Sequence, residues 1–552
     1  MKTDPAVAED YRRQGWWSTR TVGELVRGLA GTRPDAIAYV DDHRRWSWRD
    51  YDATADRIAA FLTGLGVGPG ERVAVHLPDG GLLHATYTAC ERAGVIAVGV
   101  PARAGDKEVA QLLVRTGARV ILMPPELRGR PGREVVAAVL AQQAELDVAV
   151  EVQVDGHAQA YRWSTGRTGQ QGEPVEVVPE TDPARALGPE DVWLLNSTSG
   201  TTGLPKAVMQ TQNRWFYLAR AAADGARVTG EDVVLSAIPG PYGFGLWTAH
   251  MLPAMLGARC CLTERFSPDD TLRMIERERV TVLACVTTQL VMMMRSPLFG
   301  LLDLSSLRAV FTGGERVPTE KADLWERSTG STVLQFYGSN EAGPFSCTRL
   351  DDDRDTRLTT AGRVLDGVVW QLLDRTDEEV EVGGSGVIAR GQATLKSPGA
   401  HGGYWEDPAA NQELYTDDGF LVLPDVVTID PDDRVCVVGR KSDFIIRGGK
   451  NISASVVEEE VTAHPAVHLA VAVAVPDETF GERVGVAVAL EDAASSLTLD
   501  QVVRFLRDRG VSMEYLPEHL LVLEEIPMSL GAKADKRRIK TLFEEAQPHA
   551  AR

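Results

Sequence analysis

Short apolar runs alternate with helix-like segments along most of this chain, and that alternation limits the folds open to it. The runs are rich in Val, Ile, Leu and Ala, which is typical of strands buried on both faces of a sheet. They lie at residues 73–77, 95–100, 120–123, 192–195, 280–286 and 307–311. Helical periodicity fills residues 56–65, 83–93, 109–116 and 271–278. The pattern predicts an α/β fold with mostly parallel strands.

The pattern restarts near residue 443. A helix is predicted at 454–463, strands at 467–475 and 483–490, and a second helix at 499–509. A segment of about 110 residues with its own helices and strands is within the usual size of a domain. We therefore expect a separate and smaller α+β domain at the C-terminal end of the chain.

Composition and charge narrow the classes of function. The 552 residues contain 58 Lys and Arg against 78 Asp and Glu, a formal net charge of −20. Because nucleic-acid-binding proteins need a basic surface, we expect no nucleic-acid partner. The 6 cysteines contain no CxxC pair, which disfavours a zinc site. The charged first 21 residues do not resemble a signal peptide, and no apolar stretch is long enough for a membrane span, so we expect a cytoplasmic protein without a membrane partner.

A loop rich in hydroxyl groups and glycine follows the strand predicted at 192–195. Its sequence is NSTSGTTGLPK, residues 196–206. Glycines allow backbone N–H groups to approach an anion, while hydroxyls and lysine donate to phosphate oxygens. It differs from the GxxxxGK[ST] loop because its lysine follows a proline and no Ser or Thr comes next. A surface loop without a ligand would have a similar composition, so both interpretations stay open. The candidate phosphate-binding residues are Thr198, Ser199, Gly200, Thr201, Thr202, Gly203 and Lys206.

Further motifs follow this loop in a recognisable order. They are FTGGE at 311–315, QFYGSNE at 335–341, GFLVLPD at 419–425, Gly439-Arg440, and PMSLGAK at 527–533. Together with STSGTTGLPK, they resemble the motifs of the acyl-adenylate-forming superfamily. That superfamily contains acyl- and aryl-CoA synthetases, peptide-synthetase adenylation domains and firefly luciferase. The resemblance extends over about residues 20–545.

The resemblance implies a two-domain enzyme that uses ATP and Mg²⁺ and, in some members, CoA. Residues 1–440 would bind ATP and substrate, and residues 441–552 would form a mobile domain that carries the catalytic lysine. The hinge would lie near Arg440–Asp443. A substrate oxyanion would attack the α-phosphate, forming a mixed anhydride with AMP and releasing pyrophosphate. Such chemistry mostly requires positioning and neutralisation of developing charge.

The resemblance also implies roles for individual residues. Lys533 would bridge the attacking oxygen and the α-phosphate, Glu341 would be the Mg²⁺ ligand, and Thr201 would contact the departing phosphates. The remaining nucleotide contacts would come from the phosphate loop and from Gly313, Gly314, Glu315, Tyr337, Gly338, Asn340, Asp425 and Arg440.

Several positions depart from the family pattern. Asn340 replaces the Thr of YGxTE, and Tyr242 stands where lipid-type members have His. The other departures are Leu423-Pro424 for Thr-Gly, Ser442 at the hinge, Ala454-Ser455-Val456 for PxE, and Ala532 for the Gly before the lysine. Several lie in the segment that faces thioester formation in CoA ligases. The departures therefore put CoA transfer in doubt more than adenylation.

The candidate substrate-binding residues are aromatic or carry a hydroxyl group. They are Tyr242, Phe244, Trp247, Thr312, Phe336 and Ser339. Such a mixture favours a compact ring over a long acyl chain, although the same aromatics could simply be core residues. Residues 235–244 contain no carboxylate, which disfavours an α-amino acid, and YRRQGWW at 11–17 resembles the start of aryl-acid and alicyclic-acid activating members.

We therefore predict a ligase that adenylates a small aromatic or alicyclic carboxylate. The acyl group would then pass to CoA, to the pantetheine of a carrier protein, or to a small amine. Two alternatives stay open: an ATP-dependent diazotase of the same family, which uses nitrite and an aryl amine, and a nucleotide-binding relative without turnover. The sequence predicts no oligomeric state.

Overall fold

The computed structural model divides the chain into two compact units. The first unit consists of residues 1–284, 338–344 and 397–419, and the second of residues 285–337, 345–396 and 420–552. The structure describes residues 3–142, 145–162, 172–197, 206–314, 317–381, 385–400, 402–440, 443–447, 450–477, 479–492, 496–529 and 533–546.

In the described part of the first unit, eight strands form one sheet. Their order is Glu173–Val175, Ala158–Arg162, Val148–Val152, Val120–Met123, Arg72–Val75, Ile96–Gly99, Leu194–Ser197 and Ala207–Gln210. The pairs from Val148–Val152 to Leu194–Ser197 are parallel, and the pairs at both edges are antiparallel. Buried residues of these strands pack with residues of helices Asp106–Thr116 and Gly132–Leu140. The four apolar runs predicted between residues 73 and 195 are confirmed as strands of this sheet.

Five further strands of the first unit pair with one another. Their order is Arg45–Ser47, Ile37–Val40, Arg259–Cys261, Val233–Ser236 and Val282–Ala284. Only the pair of Arg45–Ser47 with Ile37–Val40 is antiparallel among them. The parallel α/β class predicted from the sequence is therefore confirmed in this unit.

Helices alternate with these strands along the first unit. They are Pro5–Arg13, Val22–Thr32, Trp48–Gly64, Gly81–Arg92, Asp106–Thr116, Gly132–Leu140, Gln212–Ala226, Gly243–Gly245, Leu246–Met251, Leu252–Leu256, Pro268–Glu278 and Pro408–Leu414, with a 3₁₀ turn at Pro183–Arg185. Trp48–Gly64 is longer than predicted because Ser47 caps it. The Ser47 hydroxyl accepts from the Asp50 amide and the Asp50 carboxylate accepts from the Ser47 amide, so the helix begins a full two turns earlier.

The second unit begins with parallel strands and continues with antiparallel ones. Ala309–Gly313 pairs in parallel with Thr332–Ser339, a strand that ends in the first unit, and Gly343–Cys347 pairs with Arg363–Val364. A four-stranded antiparallel sheet follows, in the order Val369–Glu381, Ser385–Lys396, Leu421–Ile429 and Val435–Arg440. The helices of this part are Thr287–Arg295, Thr319–Thr329 and Arg354–Thr359.

The C-terminal elements of the second unit form a sheet with helices packed on it. The strands are Phe444–Arg447, Lys450–Ser453, Val467–Asp477, Gly481–Leu490 and His519–Leu523, and the helices are Ala454–Thr462, Leu499–Asp508 and Lys536–Ala546, with a 3₁₀ turn at Met513–Tyr515. Two apolar clusters hold these elements together. The four elements predicted between residues 454 and 509 are confirmed, while the domain boundary at residue 440 stays a prediction. In the described residues, no helix has the length and apolarity that crossing a membrane requires.

Candidate active site

Glu341, the predicted metal ligand, lies on a short segment of the first unit between two strands. Its Oε1 atom accepts a hydrogen bond from the Tyr404 hydroxyl at 3.0 Å. The main-chain oxygens of Asn340 and Glu341 both accept from Nη2 of Arg214, at 3.0 and 2.6 Å. The carboxylate and the backbone that carries it are therefore each held by a separate side chain.

Arg214 is fully buried on helix Gln212–Ala226, and its hydrogen bonds to the described residues are all to uncharged oxygens. Besides Asn340 and Glu341, it donates to the main-chain oxygens of Gly399 and Met209 and to the Gln210 side chain. Burial lowers the pKa of Arg214 to about 10, so the guanidinium keeps its charge at neutral pH. Sequence reasoning missed this residue; its one signal is a cation directly before the apolar run at 215–219.

Lys206, the last residue of the phosphate loop, lies over the ring of Tyr404. The distance from Lys206 Nζ to the ring centroid is 4.6 Å. Tyr404 was not predicted, yet it contacts both the lysine predicted to bind phosphate and the carboxylate predicted to bind metal. The other predicted loop residues, Thr198, Ser199, Gly200, Thr201, Thr202 and Gly203, lie outside the described residues, as do Glu315, Ser442 and Ala532.

Asn340, where the family has Thr, takes part in a buried amide network. Asn196 Nδ2 donates to Asn340 Oδ1 at 3.2 Å and to the Pro241 oxygen at 3.1 Å, and Gln210 Nε2 donates to Asn196 Oδ1 at 2.8 Å. A Cβ atom at Gly243 would lie 2.5 Å from Asn340 Oδ1, so only glycine allows this close approach. The network ties Asn340 to Pro241 and Gly243, the neighbours of the predicted substrate residue Tyr242.

The predicted substrate residues of the first unit differ in accessibility. Tyr242 and Phe244 are partly exposed, whereas Trp247 is 1% exposed and stacks on Phe244 with ring centroids 5.3 Å apart. Burial raises the pKa of the Tyr242 phenol, which therefore stays protonated. The Ser339 hydroxyl accepts from the Ala342 amide and shapes its own turn. Tyr242 and Phe244 are thus the members of this set best able to touch a ligand.

Two predicted substrate residues belong to the second unit. Thr312 is fully buried, and its hydroxyl has no hydrogen-bond partner among the residues that the structure describes. Phe336 packs edge-on against Phe311 with centroids 5.1 Å apart. Both side chains are therefore buried within this unit, Thr312 fully and Phe336 at 8% exposure.

A carboxylate that sequence reasoning missed contacts the substrate segment. Asp79 Oδ1 accepts from the Gly240 amide at 2.6 Å. Burial raises the pKa of Asp79 to about 7. Residues 235–244 contain no acidic side chain of their own, but a distant part of the chain supplies one to them.

The second unit brings three predicted nucleotide-binding residues together. Antiparallel pairing places Asp425 opposite Arg440, and Arg440 Nε lies 3.4 Å from Asp425 Oδ1. The Tyr337 hydroxyl donates to Asp425 Oδ2 at 3.2 Å. Burial raises the pKa of Asp425, and the charge of Arg440 opposes that rise. The three side chains form a donor and acceptor set suited to a ribose.

Lys533, the predicted catalytic lysine, contacts Gly314 of the FTGGE motif, which is predicted to bind the nucleotide. Its Nζ atom donates to the Gly314 oxygen at 3.0 Å. The Ser529 amide donates to the Lys533 oxygen at 2.7 Å and the Asp535 amide to the Pro527 oxygen at 2.7 Å, so the backbone at Lys533 is bonded to the segment that precedes it. Gly314 has φ of +82°, and a Cβ atom there would lie 3.0 Å from Lys533 Nζ. Gly313 precedes it as the last residue of strand Ala309–Gly313, and Gly338 follows Tyr337 in Thr332–Ser339.

The donor set suits Mg²⁺ bound together with phosphate. Among the described residues, no group of three or more His, Cys, Asp or Glu side chains could enclose a metal ion. Mg²⁺ typically uses one or two carboxylates and completes its octahedron with phosphate oxygens and water. Glu341, near Lys206 through Tyr404, fits that mode of binding.

Two protein-family models and several known ligases match this chain. A model of the AMP-binding enzyme family matches residues 27–405, and a model of the AMP-binding enzyme C-terminal domain matches residues 456–533. The 2,3-dihydroxybenzoate-AMP ligase of Bacillus subtilis (strain 168) is 30% identical over 98% of this chain and 96% of that protein. The salicyl-AMP ligase / salicyl-S-ArCP synthetase of Mycobacterium tuberculosis is 30% identical over 96% of this chain and 92% of that protein.

A solved structure shows the same fold. The amide bond synthetase McbA from Marinactinospora thermotolerans has a TM-score of 0.77 and 26% identity, over 95% of this chain and 100% of that one. The two family models together match well over half of the residues and contain the Glu341, Tyr404 and Lys533 positions. The chain therefore belongs to the AMP-binding enzyme family and is an AMP-forming ligase.

Proposed function

We propose that this ligase activates a small aromatic carboxylate as its acyl-adenylate, using ATP and Mg²⁺. The observation that carries the proposal is the near full-length similarity, at 30% identity, to two ligases named for 2,3-dihydroxybenzoate and salicylate. The partly exposed rings of Tyr242 and Phe244 supply the apolar contacts that an aromatic acid requires. The Asp79 carboxyl accepts from the Gly240 amide in the same segment, which favours a ring that carries a hydroxyl or amino group.

In the proposed reaction, a carboxylate oxygen of the substrate attacks the α-phosphorus of ATP. A new P–O bond forms while the bond to the oxygen between the α- and β-phosphorus breaks, and pyrophosphate leaves with that electron pair. The Lys533 ammonium neutralises charge that develops on the attacking oxygen and the α-phosphate. Asp425 accepts hydrogen bonds from the ribose. Tyr337 and Arg440 fix the orientation of the Asp425 carboxylate.

The phosphate end of the nucleotide is assigned to Lys206, the phosphate loop and Glu341. Lys206 and the phosphate loop would hold the β- and γ-phosphates, and Glu341 would hold Mg²⁺. The ion, when bound, neutralises charge on the phosphate oxygens. Arg214 and Tyr404 keep the Glu341 backbone and carboxylate in place before the ion binds.

In a second step, a nucleophile attacks the acyl carbon and AMP leaves. We propose a carrier-protein thiol or an amine as the acceptor ahead of CoA. The name salicyl-S-ArCP synthetase supports the first and the similarity to an amide bond synthetase the second. The loss of PxE at Ala454–Val456 is the sequence feature that weighs against CoA.

Product mass spectrometry tests the proposal. Purified enzyme is given ATP and Mg²⁺ with salicylate, 2,3-dihydroxybenzoate, 2-aminobenzoate, benzoate, cyclohexanecarboxylate or octanoate. Each acid is run alone and with CoA, an amine or nitrite, beside Lys533→Ala as the inactive control. We expect an acyl-AMP from a substituted benzoate. Faster turnover of octanoate contradicts the aromatic assignment, and a diazo product that forms only with nitrite replaces ligation by diazotisation.

A further inference from the structure

Tyr404 contacts two groups that the proposed function assigns to different tasks. Its hydroxyl donates to Glu341 Oε1 at 3.0 Å, and its ring lies 4.6 Å from Lys206 Nζ. One side chain thus touches the carboxylate assigned to Mg²⁺ and the ammonium assigned to phosphate. All three residues belong to the first unit.

The backbone of Tyr404 is fixed from several sides. Tyr404 forms an antiparallel β-bridge with Val208. On either side of it, the Met209 amide donates to the Gly403 oxygen at 2.9 Å, and the Trp405 amide donates to the Ala207 oxygen at 2.7 Å. The Asn411 side chain accepts from the Tyr404 amide at 2.7 Å and donates to the Tyr404 oxygen at 2.8 Å. The strand Ala207–Gln210 begins directly after Lys206, so the same pairing that fixes Tyr404 also sets its distance from the lysine.

The Tyr404 hydroxyl donates to Glu341 Oε1 at 3.0 Å, and Tyr404 is only 8% exposed, so water competes little for this hydrogen bond. A protonated phenol can direct one carboxylate oxygen while the other is left for a cation. The ring face attracts the Lys206 ammonium through its quadrupole.

We propose that Tyr404 is a positioning residue that holds Glu341 for the metal ion through its hydroxyl and Lys206 for the phosphates through its ring. The inference rests on the proposed function, in which Glu341 binds Mg²⁺. The effect on metal binding and the effect on phosphate binding should then be separable. Tyr404→Phe removes only the hydroxyl, whereas Tyr404→Leu removes the ring as well. Tyr415→Phe is the matched control, because the Tyr415 hydroxyl donates to the Gly402 oxygen at 2.9 Å in the same segment without touching Glu341.

The test measures binding rather than turnover. Titration calorimetry gives the affinity for a non-hydrolysable ATP analogue without metal, and electron paramagnetic resonance gives Mn²⁺ binding to the enzyme–analogue complex. We expect Tyr404→Phe to weaken Mn²⁺ binding about 10-fold and to leave the metal-free affinity for the analogue within about 2-fold. Tyr404→Leu should in addition weaken metal-free binding of the analogue by about 3-fold or more. Tyr415→Phe should change neither quantity.

Glu341→Gln separates a failure of the inference from a failure of the function on which it rests. Loss of Mn²⁺ binding in Glu341→Gln, with wild-type binding in Tyr404→Phe, overturns the role of Tyr404 alone. Wild-type binding in both variants removes Glu341 as a metal ligand, and the inference falls with it. An equal loss in Tyr415→Phe also contradicts the inference, since it shows a general effect of the segment. Circular dichroism and an unchanged unfolding midpoint show that each variant is folded.

Discussion

A row of stacked rings crosses the core of the first unit, and His84 stands in its middle. Trp193 and His250 have ring centroids 5.2 Å apart, His250 and His84 5.4 Å, His84 and Tyr39 5.4 Å, and Tyr39 and Tyr51 5.3 Å. Among the residues that the structure describes, neither ring nitrogen of His84 has a hydrogen-bond partner. Burial lowers the pKa of His84 from 6.5 to about 3, so the folded protein holds this ring neutral.

The lowered pKa makes stability depend on pH in a defined direction. Below pH 6.5 the unfolded chain binds a proton at His84 that the folded chain does not, so stability falls as the pH falls from about 6.5 towards 3. Below pH 6.5 the free energy of unfolding falls by about 1.4 kcal/mol per pH unit. At pH 5 it is therefore about 2 kcal/mol lower than at neutral pH. His84→Leu has a similar volume and no titrating group, so it should lack this part of the pH dependence.

Denaturant unfolding of wild type and His84→Leu at pH 7.5, 6 and 5 measures the effect, with tryptophan fluorescence and circular dichroism as probes. The free energy of unfolding of the variant minus that of wild type should increase by about 2 kcal/mol between pH 7.5 and pH 5. His43→Leu is the control of opposite sign, because Glu264 at 2.5 Å raises the pKa of the half-exposed His43. A difference for His84→Leu that stays constant across this range would refute the reasoning.

Further variants test the site residues one at a time. Lys533→Ala should lower adenylation about 100-fold or more, while calorimetry finds ATP affinity retained, because the lysine acts in the transition state. Asp425→Asn should weaken AMP binding about 10-fold in the same assay, since a charged acceptor is lost from the Tyr337 and Arg440 set. Arg214→Lys should lower the free energy of unfolding by about 2 kcal/mol or more, because buried main-chain oxygens lose their donors. Unchanged adenylation in Lys533→Ala, unchanged AMP affinity in Asp425→Asn, or an unchanged free energy of unfolding in Arg214→Lys would each contradict the role assigned to that residue.

Much of the fold could be predicted because strands buried on both faces need continuous apolar runs. The runs at 73–77, 95–100 and 120–123 became neighbouring parallel strands for that reason. Their order in the sheet could not be predicted, since any two apolar strands satisfy the same pattern. Helix Trp48–Gly64 was predicted too short because its first two turns carry charged and aromatic residues, and Ser47 marks its start only through the cap.

Part of the geometry of the candidate site could be predicted from the motifs, while the roles of its residues stay predictions. The separation of Asp425 from Arg440 suits a short antiparallel connection, and the structure pairs these two residues directly. Tyr404, Arg214 and Asp79 were missed because each acts on a residue far away in the sequence, at 341, 340 and 240. A contact between distant segments leaves no periodicity or spacing in a single sequence, so such residues become visible only after folding.

The formation of acyl-AMP is the central claim, and the fate of a carboxylate oxygen tests it most directly. The acid is labelled with ¹⁸O in its carboxylate, and hydroxylamine is added so that the acyl group is trapped as a hydroxamate. If the carboxylate attacks the α-phosphorus, one labelled oxygen stays on phosphorus when AMP leaves the acyl carbon. Mass spectrometry should then find AMP with one ¹⁸O atom. Unlabelled AMP, or ADP with labelled phosphate, would contradict the account.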